Sequence, residues 1–487
     1  MISDNDILKL ILGFKVKHLR SKVGISYQAL SDQTGLSVSY LNDIEKGKKY
    51  PKPDKIRALA KAFEVTYDEL VSTQADKKLR PVVELLNSGF FKYFPTEEFG
   101  LNLEKVIDIF SNAPDKISAF ISTILKMVRS YQIEKEHFYR VALRSYQDMH
   151  DNYFQSLESA AADFRKSAGI KSITPSLSTL KKLLAKNYAI QIDEVRLGEH
   201  KMLQRIRSFY STEKRTLYLN NQLSDEQQKF VIAKEIGFQH LALAERPFET
   251  TLNKEASFEK LLNNFKASYF GAAFLMDADE LVNDIKEMAL STAWSPNHIE
   301  RLIKKYQVTP ETLLQRLTNI LPKHFGIDDL FFIRLDSTKG LVNYRITKEL
   351  HLSGLHQPYQ NQLEEHLCHR WVSISSIKQL NGSKSDHVVD AQVSEYWQSN
   401  NAYFCISIAE PSRFDNQNGT SVTIGLSMTD TLKGAFNFMK DDGLRRRTVH
   451  TTCEQCSISD CEHRVAPPTI VNKRNLEEEL EEELKKL

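Results

Sequence analysis

Three of the chain's five cysteines fall within nine residues, in Cys453-Glu-Gln-Cys456-Ser-Ile-Ser-Asp-Cys461. The spacing C-x2-C-x4-C sets three thiols on one tight turn region, and Pro467-Pro468 stops the segment from running on into a helix. Thiolates bring charge and short bonds, so the grouping suits a soft metal ion or an iron–sulfur cluster. Three ligands are one short of a closed site, and a fourth must come from elsewhere in the chain. Four cysteines would close a structural zinc site equally well, and His463 is a further zinc donor. The plain alternative is three incidental cysteines.

The chain carrying this stretch has 487 residues, 41% hydrophobic and 26% charged, with a net charge of +2. That length supports about three domains of roughly 150 residues each, and the balance fits a globular protein. With so little net charge, any face for nucleic acid must be local. Five cysteines, three of them clustered, fit a metal site in a reducing cytoplasm better than a disulfide scaffold. The apolar run Ile7–Leu12 is broken by Lys9, is too short to span a membrane and lacks a cleavage pattern. The expected place is the cytoplasm, with no membrane partner.

Residues 1–72 read as five short helices. Ile11, Phe14, Val16 and Leu19 mark a first helix ending before Gly24, and Ser26 caps a second over Tyr27–Thr34. Gly35 turns the chain, Ser37 caps a third helix carrying Leu41 and Ile44, and Gly47 ends it. Asp54 caps a fourth after Pro51-Lys-Pro53, and Val65–Leu70 opens a fifth. Two short helices joined by a glycine turn form a helix-turn-helix, whose second helix enters the major groove. The run Ile25–Gly47 resembles the lambda-repressor-like, XRE-type DNA-binding domain. The resemblance implies that Ser37, Val38, Ser39, Tyr40 and Asn42 face the groove, with Tyr27 and Gln28 among the DNA contacts. Asn42 is the best base reader, since an amide pairs bidentately with adenine. Lys46, Lys48, Lys49 and Lys52 fall near phosphates. The segment holds 12 Lys/Arg against 9 Asp/Glu, a net of +3 concentrated in 15–22 and 46–61. The bland reading of such a balance alone is a helical bundle with a solvated lysine face.

Residues 73–149 are helical and amphipathic, with apolar runs at Val83–Phe94, at Ile117–Val128 and from Glu134 to Arg165. They carry no catalytic constellation and read as packing and dimerisation helices. In 150–290, a strand at Thr216–Asn220 precedes the helix Asp225–His240, which looks like the ImmA/IrrE metallopeptidase-like domain. That family's helix carries H-E-x-x-H, two imidazoles for zinc and a glutamate to activate water. Here Lys234 and Phe238 stand at the histidine positions, and only Glu235 remains. His240 is two positions out of register. The third-ligand position falls on Lys266 or a neighbouring non-acidic residue of the helix Leu262–Met276. No zinc and no peptidase activity are expected there.

Strand-like runs follow at Leu330–Leu335, Gly340–Thr347, Ala402–Ala409 and Ser421–Leu426. The domain order, Phe331-Phe-Ile-Arg, Val422-Thr-Ile-Gly-Leu and the closing C-x2-C-x4-C-x2-R-x-x-P-P are similar to the short-chain fatty acyl transcriptional regulators. That resemblance covers almost the whole chain. It implies a transcription factor that senses acyl-CoA and carries a [4Fe–4S] cluster in the C-terminal module. It also suggests a fourth ligand, Cys368 in Leu367-Cys-His-Arg-Trp371, ahead of the mid-strand Cys405. Arg464 anchors an anionic group of the ligand or caps the turn. The tail repeats leucine at 476, 480 and 484 among glutamates, as an acidic amphipathic helix.

The expected fold is multidomain: an all-α lambda-repressor-like domain (1–72), a helical linker or dimerisation region (73–149), a degenerate zincin-like α+β domain (150–290), an α+β sensor module (325–470) and the acidic helix (471–487). The expected function is transcriptional regulation of short-chain fatty acid and acyl-CoA metabolism, gated by acyl-CoA, by the cluster or by both. Its partners are an operator duplex, an acyl-CoA ligand and a second copy of the chain. The alternatives are a zinc-stabilised or redox-sensing regulator with no acyl-CoA ligand, and a metallopeptidase-type enzyme, disfavoured by the lost histidines.

Overall fold

The chain is described by a computed structural model over residues 4–72, 98–100, 135–247, 257–337, 343–352, 365–383, 385–411 and 419–486. It divides into two compact units, residues 1–146 with 254–262, and residues 147–253 with 263–487. The runs expected at Val83–Phe94 and Ile117–Val128 lie outside the described residues.

The first unit opens with α1 (Asp4–Val23), α2 (Tyr27–Thr34), α3 (Val38–Glu45), α4 (Pro53–Ala62) and α5 (Tyr67–Val71). Each boundary has a local cause. Ser26 accepts from Ala29 N and Ser37 from Tyr40 N, satisfying free N–H groups at the two helix starts. Gly35 takes φ +70° between them, the left-handed turn that glycine adopts without strain. Thr66 and Glu69 form a reciprocal capping box at α5. The start of α4 differs from expectation: Lys52 is its N-cap and Pro53 its first residue, so Asp54 lies inside the first turn. Proline suits that position because its missing N–H has no helical acceptor there anyway. Leu12, Val16, Leu30, Leu41, Ile44 and Leu59 close the core. Gly13 lets α1 approach α3 closely, since a Cβ there would meet the Ile44 carbonyl at 2.4 Å.

The single helix expected from Glu134 to Arg165 is two, α6 (Lys135–Asp148) and α7 (Gln155–Ser167). Asp151 and Asn152 between them take φ +50° and +51°, a conformation their short polar side chains tolerate. Asn152 is buried there. Its Nδ2 donates to Thr318 Oγ1 at 2.9 Å, and its carbonyl accepts from Asn319 Nδ2 at 2.9 Å.

In the second unit, α8 (Leu177–Tyr188), β1 (Gln191–Asp193), α9 (Arg196–Glu199), β2 (Ser208–Ser211) and β3 (Thr216–Leu219) precede α10 (Asp225–His240). The three strands form a sheet in the order β1-β3-β2, with β1 parallel and β2 antiparallel to β3. Four helices follow: α11 (Phe258–Leu275), α12 (Ala278–Ala289), α13 (Asn297–Tyr306) and α14 (Pro310–Phe325). Arg316 of α14, fully buried, pairs with Glu158 of α7, which also accepts from the Tyr269 hydroxyl at 2.6 Å. The two terminal nitrogens of Arg316 are satisfied by Glu158 inside the core, while its Nε is left without a partner.

The C-terminal part holds β4 (Leu330–Ser337), β5 (Tyr344–His351), α15 (Val372–Gly382), β6 (Val388–Tyr396), β7 (Ala402–Glu410), β8 (Thr420–Ser427), α16 (Asp430–Ala435), a 3-10 turn (Asn437–Lys440), β9 (Arg446–Val449) and α17 (Thr469–Leu484). Its six strands run β5-β4-β8-β7-β6-β9, antiparallel except for β6 with β9. The interior of β7 is buried at every position, because α15 packs on the sheet together with α14 and the Trp294–Phe404–Phe438 aromatics. Among the described residues no helix is long and apolar enough to cross a membrane.

Candidate functional site

The helix-turn-helix exposes one polar face. Ser37, Val38 and Ser39 at the start of α3 are exposed, and Tyr40 and Asn42 are half-buried beside them. Lys48, Lys49 and Lys52 are exposed and Lys46 half-buried. Lys55 Nζ lies 4.3 Å from the centre of the Tyr40 ring, so cations crowd the end of the face nearest α4. Lys49 pairs with Asp43 at 2.8 Å; both groups are solvated and the pair is weak. Gln28 is exposed and donates to Asp32 at 3.1 Å.

Tyr27 is engaged inside the domain. Its hydroxyl donates to Glu45 Oε2 at 2.7 Å, and its ring lies 4.0 Å from the Arg20 guanidinium. Arg20 grips the same carboxylate through Nε at 2.6 Å and Nη2 at 3.0 Å. Burial first, and then the bond to Glu45, push the Tyr27 hydroxyl pKa up to about 12. This lock ties α1, α2 and α3 together, and so fixes the angle at which α3 is presented. No motif announces it, since Glu45 reads as an ordinary polar residue ending a helix.

The cysteines gather around one main-chain junction. Leu367 bridges Thr452 in antiparallel register, Cys368 N donates to the Thr451 carbonyl at 3.1 Å, and Cys453 N donates to the His366 carbonyl at 2.8 Å. That pairing puts the segment before α15 against the head of the three-cysteine stretch. Cys368, Cys453 and Cys456 are buried, whereas Cys461 is half-buried and His463 exposed. Burial, helped by the neighbouring Cys453 and Cys456, pushes the Cys368 thiol up to about 11. Cys405 sits in the core of β7, where burial raises its thiol to about 12.

Arg464 shows which of its two roles its hydrogen bonds serve. Its guanidinium donates to the carbonyls of Cys453 (2.8 Å), Cys456 (2.9 Å), Ile458 (2.6 Å) and Ala466 (3.4 Å). It caps the cysteine turn from within. The donor set, buried thiols on two paired segments, fits a soft metal or cluster in kind. In arrangement it falls short: among the described residues no three His, Cys, Asp or Glu side chains lie close enough together to hold a metal ion.

The third place is α10. Ser224 and Gln227 form a capping box at its start. A Cβ on Gly271 would meet Lys234 N at 3.0 Å, so α11 packs directly on the backbone of α10 at Lys234. Lys234 and Phe238 occupy the turn where imidazoles would stand, and Glu235 is 4% exposed. Arg246 binds Glu235 through both carboxylate oxygens, at 2.7 and 3.1 Å, and Gln239 adds a third bond at 2.7 Å. Burial raises the Glu235 pKa, against the pull of Arg246. Lys234, Glu235, Phe238 and Arg246 line a cavity of about 810 Å³, which β2, α14 and strands β4, β5 and β8 also wall. From α11 the lining residues are Asn264 and Ser268. On the α14 side Glu311 is held by Arg334 at 2.9 Å and by Lys348. Neither the cavity nor Arg246 is legible from spacing, because the walls come from segments up to about 200 residues apart.

Comparison with known proteins agrees with the two folds at these places. Residues 16–70 match the helix-turn-helix family, and residues 194–318 match the IrrE N-terminal-like domain of a peptidase family. The chain is 21% identical over 358 residues to a propionyl-CoA carboxylase regulator of Cereibacter sphaeroides, covering 69% of this chain and 70% of that one. A solved Mycobacterium tuberculosis transcriptional regulator is 17% identical, with a TM-score of 0.48 over 66% of this chain and 92% of that one.

Proposed function

We propose that this protein is a sequence-specific DNA-binding transcriptional regulator. The observation that carries the reading is the capped helix α3, held by the Arg20–Tyr27–Glu45 lock with Ser37, Val38 and Ser39 exposed at its start. Asn42 reads a base, and Lys46, Lys48, Lys49 and Lys52 contact phosphates. Two copies bind together, so that two recognition helices meet half-sites about 34 Å apart.

In the finer reading, DNA affinity responds to an acyl-CoA effector. The relative named for propionyl-CoA carboxylase regulation supports that effector class. The cavity of about 810 Å³ supports a site of small-molecule size. An effector gates DNA binding only through different affinities for the DNA-competent and incompetent forms, and operator DNA then shifts effector affinity by the same factor. Cys368, Cys453, Cys456 and Cys461 are the donors that a [4Fe–4S] cluster, or zinc as the alternative, would have to draw closer together than they stand here; thiolate ligation would then supply a group that senses redox state or stiffens the module. The peptidase-like domain serves as scaffold rather than enzyme, a reading supported by Lys234 and Phe238 at the imidazole positions and by the Arg246 grip on Glu235.

The test starts from operator sequences selected out of random duplexes by the full-length protein. Asn42→Ala is expected to erase the preference at one base position. Lys48→Ala is expected to weaken binding to every sequence and to lower the slope of log K against log salt by about one. If selection returns no consensus, the regulator reading fails. If propionyl-CoA shifts operator affinity by less than about twofold, gating fails and DNA binding stands.

A further inference from the structure

The cavity over α10 contains an ion pair that neither DNA binding nor the cysteines use. Arg246 lies beyond the end of α10, on a segment tied to α11 by Asn263 Nδ2, which donates to the Glu245 carbonyl at 2.8 Å. Its guanidinium lies 4.1 Å from the centre of the Tyr210 ring and 4.7 Å from that of Phe238. Arginine has five N–H donors, and the bonds to Glu235 engage two of them. That leaves three N–H donors for an incoming acceptor.

The electrostatics point to the class of ligand. Planar guanidinium with aromatic faces alongside is the usual receptor for carboxylate or phosphate, and it binds such groups two-pronged. Arg205, Lys234 and Lys304 also line the cavity and add longer-range attraction. Glu235 already occupies one two-pronged edge of Arg246, so an incoming anion must compete with it. The site is built as a cation with a resident counter-ion rather than as an open positive patch.

We infer that Arg246 is the anion-binding residue of this cavity, that the ligand is a small molecule bearing a carboxylate or phosphate, and that Glu235 is the internal anion it displaces. The inference rests on the reading of this cavity as the effector site and names the residue that takes the effector's anionic group; it stands whether or not the ligand gates DNA binding.

Calorimetric titration of the full-length protein with propionyl-CoA, inorganic pyrophosphate and propionate separates a phosphate source from a carboxylate source. Glu235→Gln keeps the side-chain shape and removes the competing charge. It is expected to tighten whichever probe binds by about tenfold. Arg246→Gln alone would strand a buried carboxylate, so the double variant Glu235→Gln/Arg246→Gln is the companion. It is expected to lose binding while its tryptophan-monitored melting stays near that of the wild type. Three results overturn the inference: no probe saturates the wild-type protein, Glu235→Gln binds no tighter than wild type, or the folded double variant binds as wild type does. If the double variant does not fold, Glu235→Gln decides alone.

Discussion

Replacing Glu45 with alanine should loosen the DNA-binding face without touching a DNA-facing residue. Glu45 is 1% exposed and accepts three hydrogen bonds, from Arg20 Nε at 2.6 Å, Arg20 Nη2 at 3.0 Å and Tyr27 Oη at 2.7 Å. Removing one partner of a buried ion pair costs roughly 3–5 kcal/mol, because the other charge is left behind. The Arg20 side chain keeps 16% of its surface exposed and can partly rehydrate, so the expected loss is about 2–3 kcal/mol. A domain of this size has roughly 4–11 kcal/mol of stability in all, so the loss is substantial but not fatal. Amide hydrogen exchange of the full chain reads it locally. Exchange at Leu30, Leu41 and Ile44 should accelerate by roughly 30- to 150-fold. Tyr27→Phe removes one of the three bonds and should give about fivefold. Affinity for specific and random DNA should fall together, unlike the effect of Asn42→Ala. If those amides in Glu45→Ala exchange within about threefold of wild type, the lock does not hold α3 and the reasoning fails.

The remaining expectations concern the second unit. Burial would raise the Glu311 carboxyl, but Lys348, Arg334 and Arg207 together hold it down to about 2. A depressed carboxylate stabilises above its unfolded pKa near 4.5 and loses that contribution as pH falls towards 2. Glu311→Gln should therefore cost up to about 3 kcal/mol at neutral pH and flatten the acid limb between about pH 4.5 and 2; superimposable acid-unfolding curves from Trp294 and Trp371 fluorescence would exclude this. Cys368→Ser should lower bound iron or zinc in anaerobically purified protein, whereas Cys405→Ala should leave metal content unchanged; equal losses would put Cys405 among the ligands. Arg464→Met removes four hydrogen bonds from the cysteine turn and should speed alkylation of Cys453 and Cys456 by more than about tenfold, with an unchanged rate counting against the cap.

Local chemistry made the first 72 residues readable. Ser26, Gly35 and Ser37 each act on atoms within a few positions, and their caps and turn form where their spacing implies. Asp54 misled because a capping residue type stood one position beyond a proline that starts helices just as well. The break at Asp151–Asn152 was hidden for the opposite reason. Helical periodicity continues across it, and what ends the helix is a set of hydrogen bonds to Thr318 and Asn319, about 165 residues away. Arg464 differs again: its partners are local, but a guanidinium reaching four main-chain carbonyls leaves no mark in residue types or spacing. Cys368 is an intermediate case. A resemblance pointed to it, and the Leu367–Thr452 bridge puts it beside Cys453.

Glu235 shows how a buried carboxylate is kept in a cavity wall. A carboxylate on the buried face of α10 needs a cation, or it must take up a proton in a wall where neither state is solvated. In a metal-holding relative of this fold the ion would supply that charge. Here Arg246 supplies it from a neighbouring segment, and Phe238 offers a face for the guanidinium. Returning histidine at 234 and 238 would leave a guanidinium bound to the glutamate that must activate water. With Arg246 held beside Glu235, the cavity over α10 suits an anion better than a metal cation.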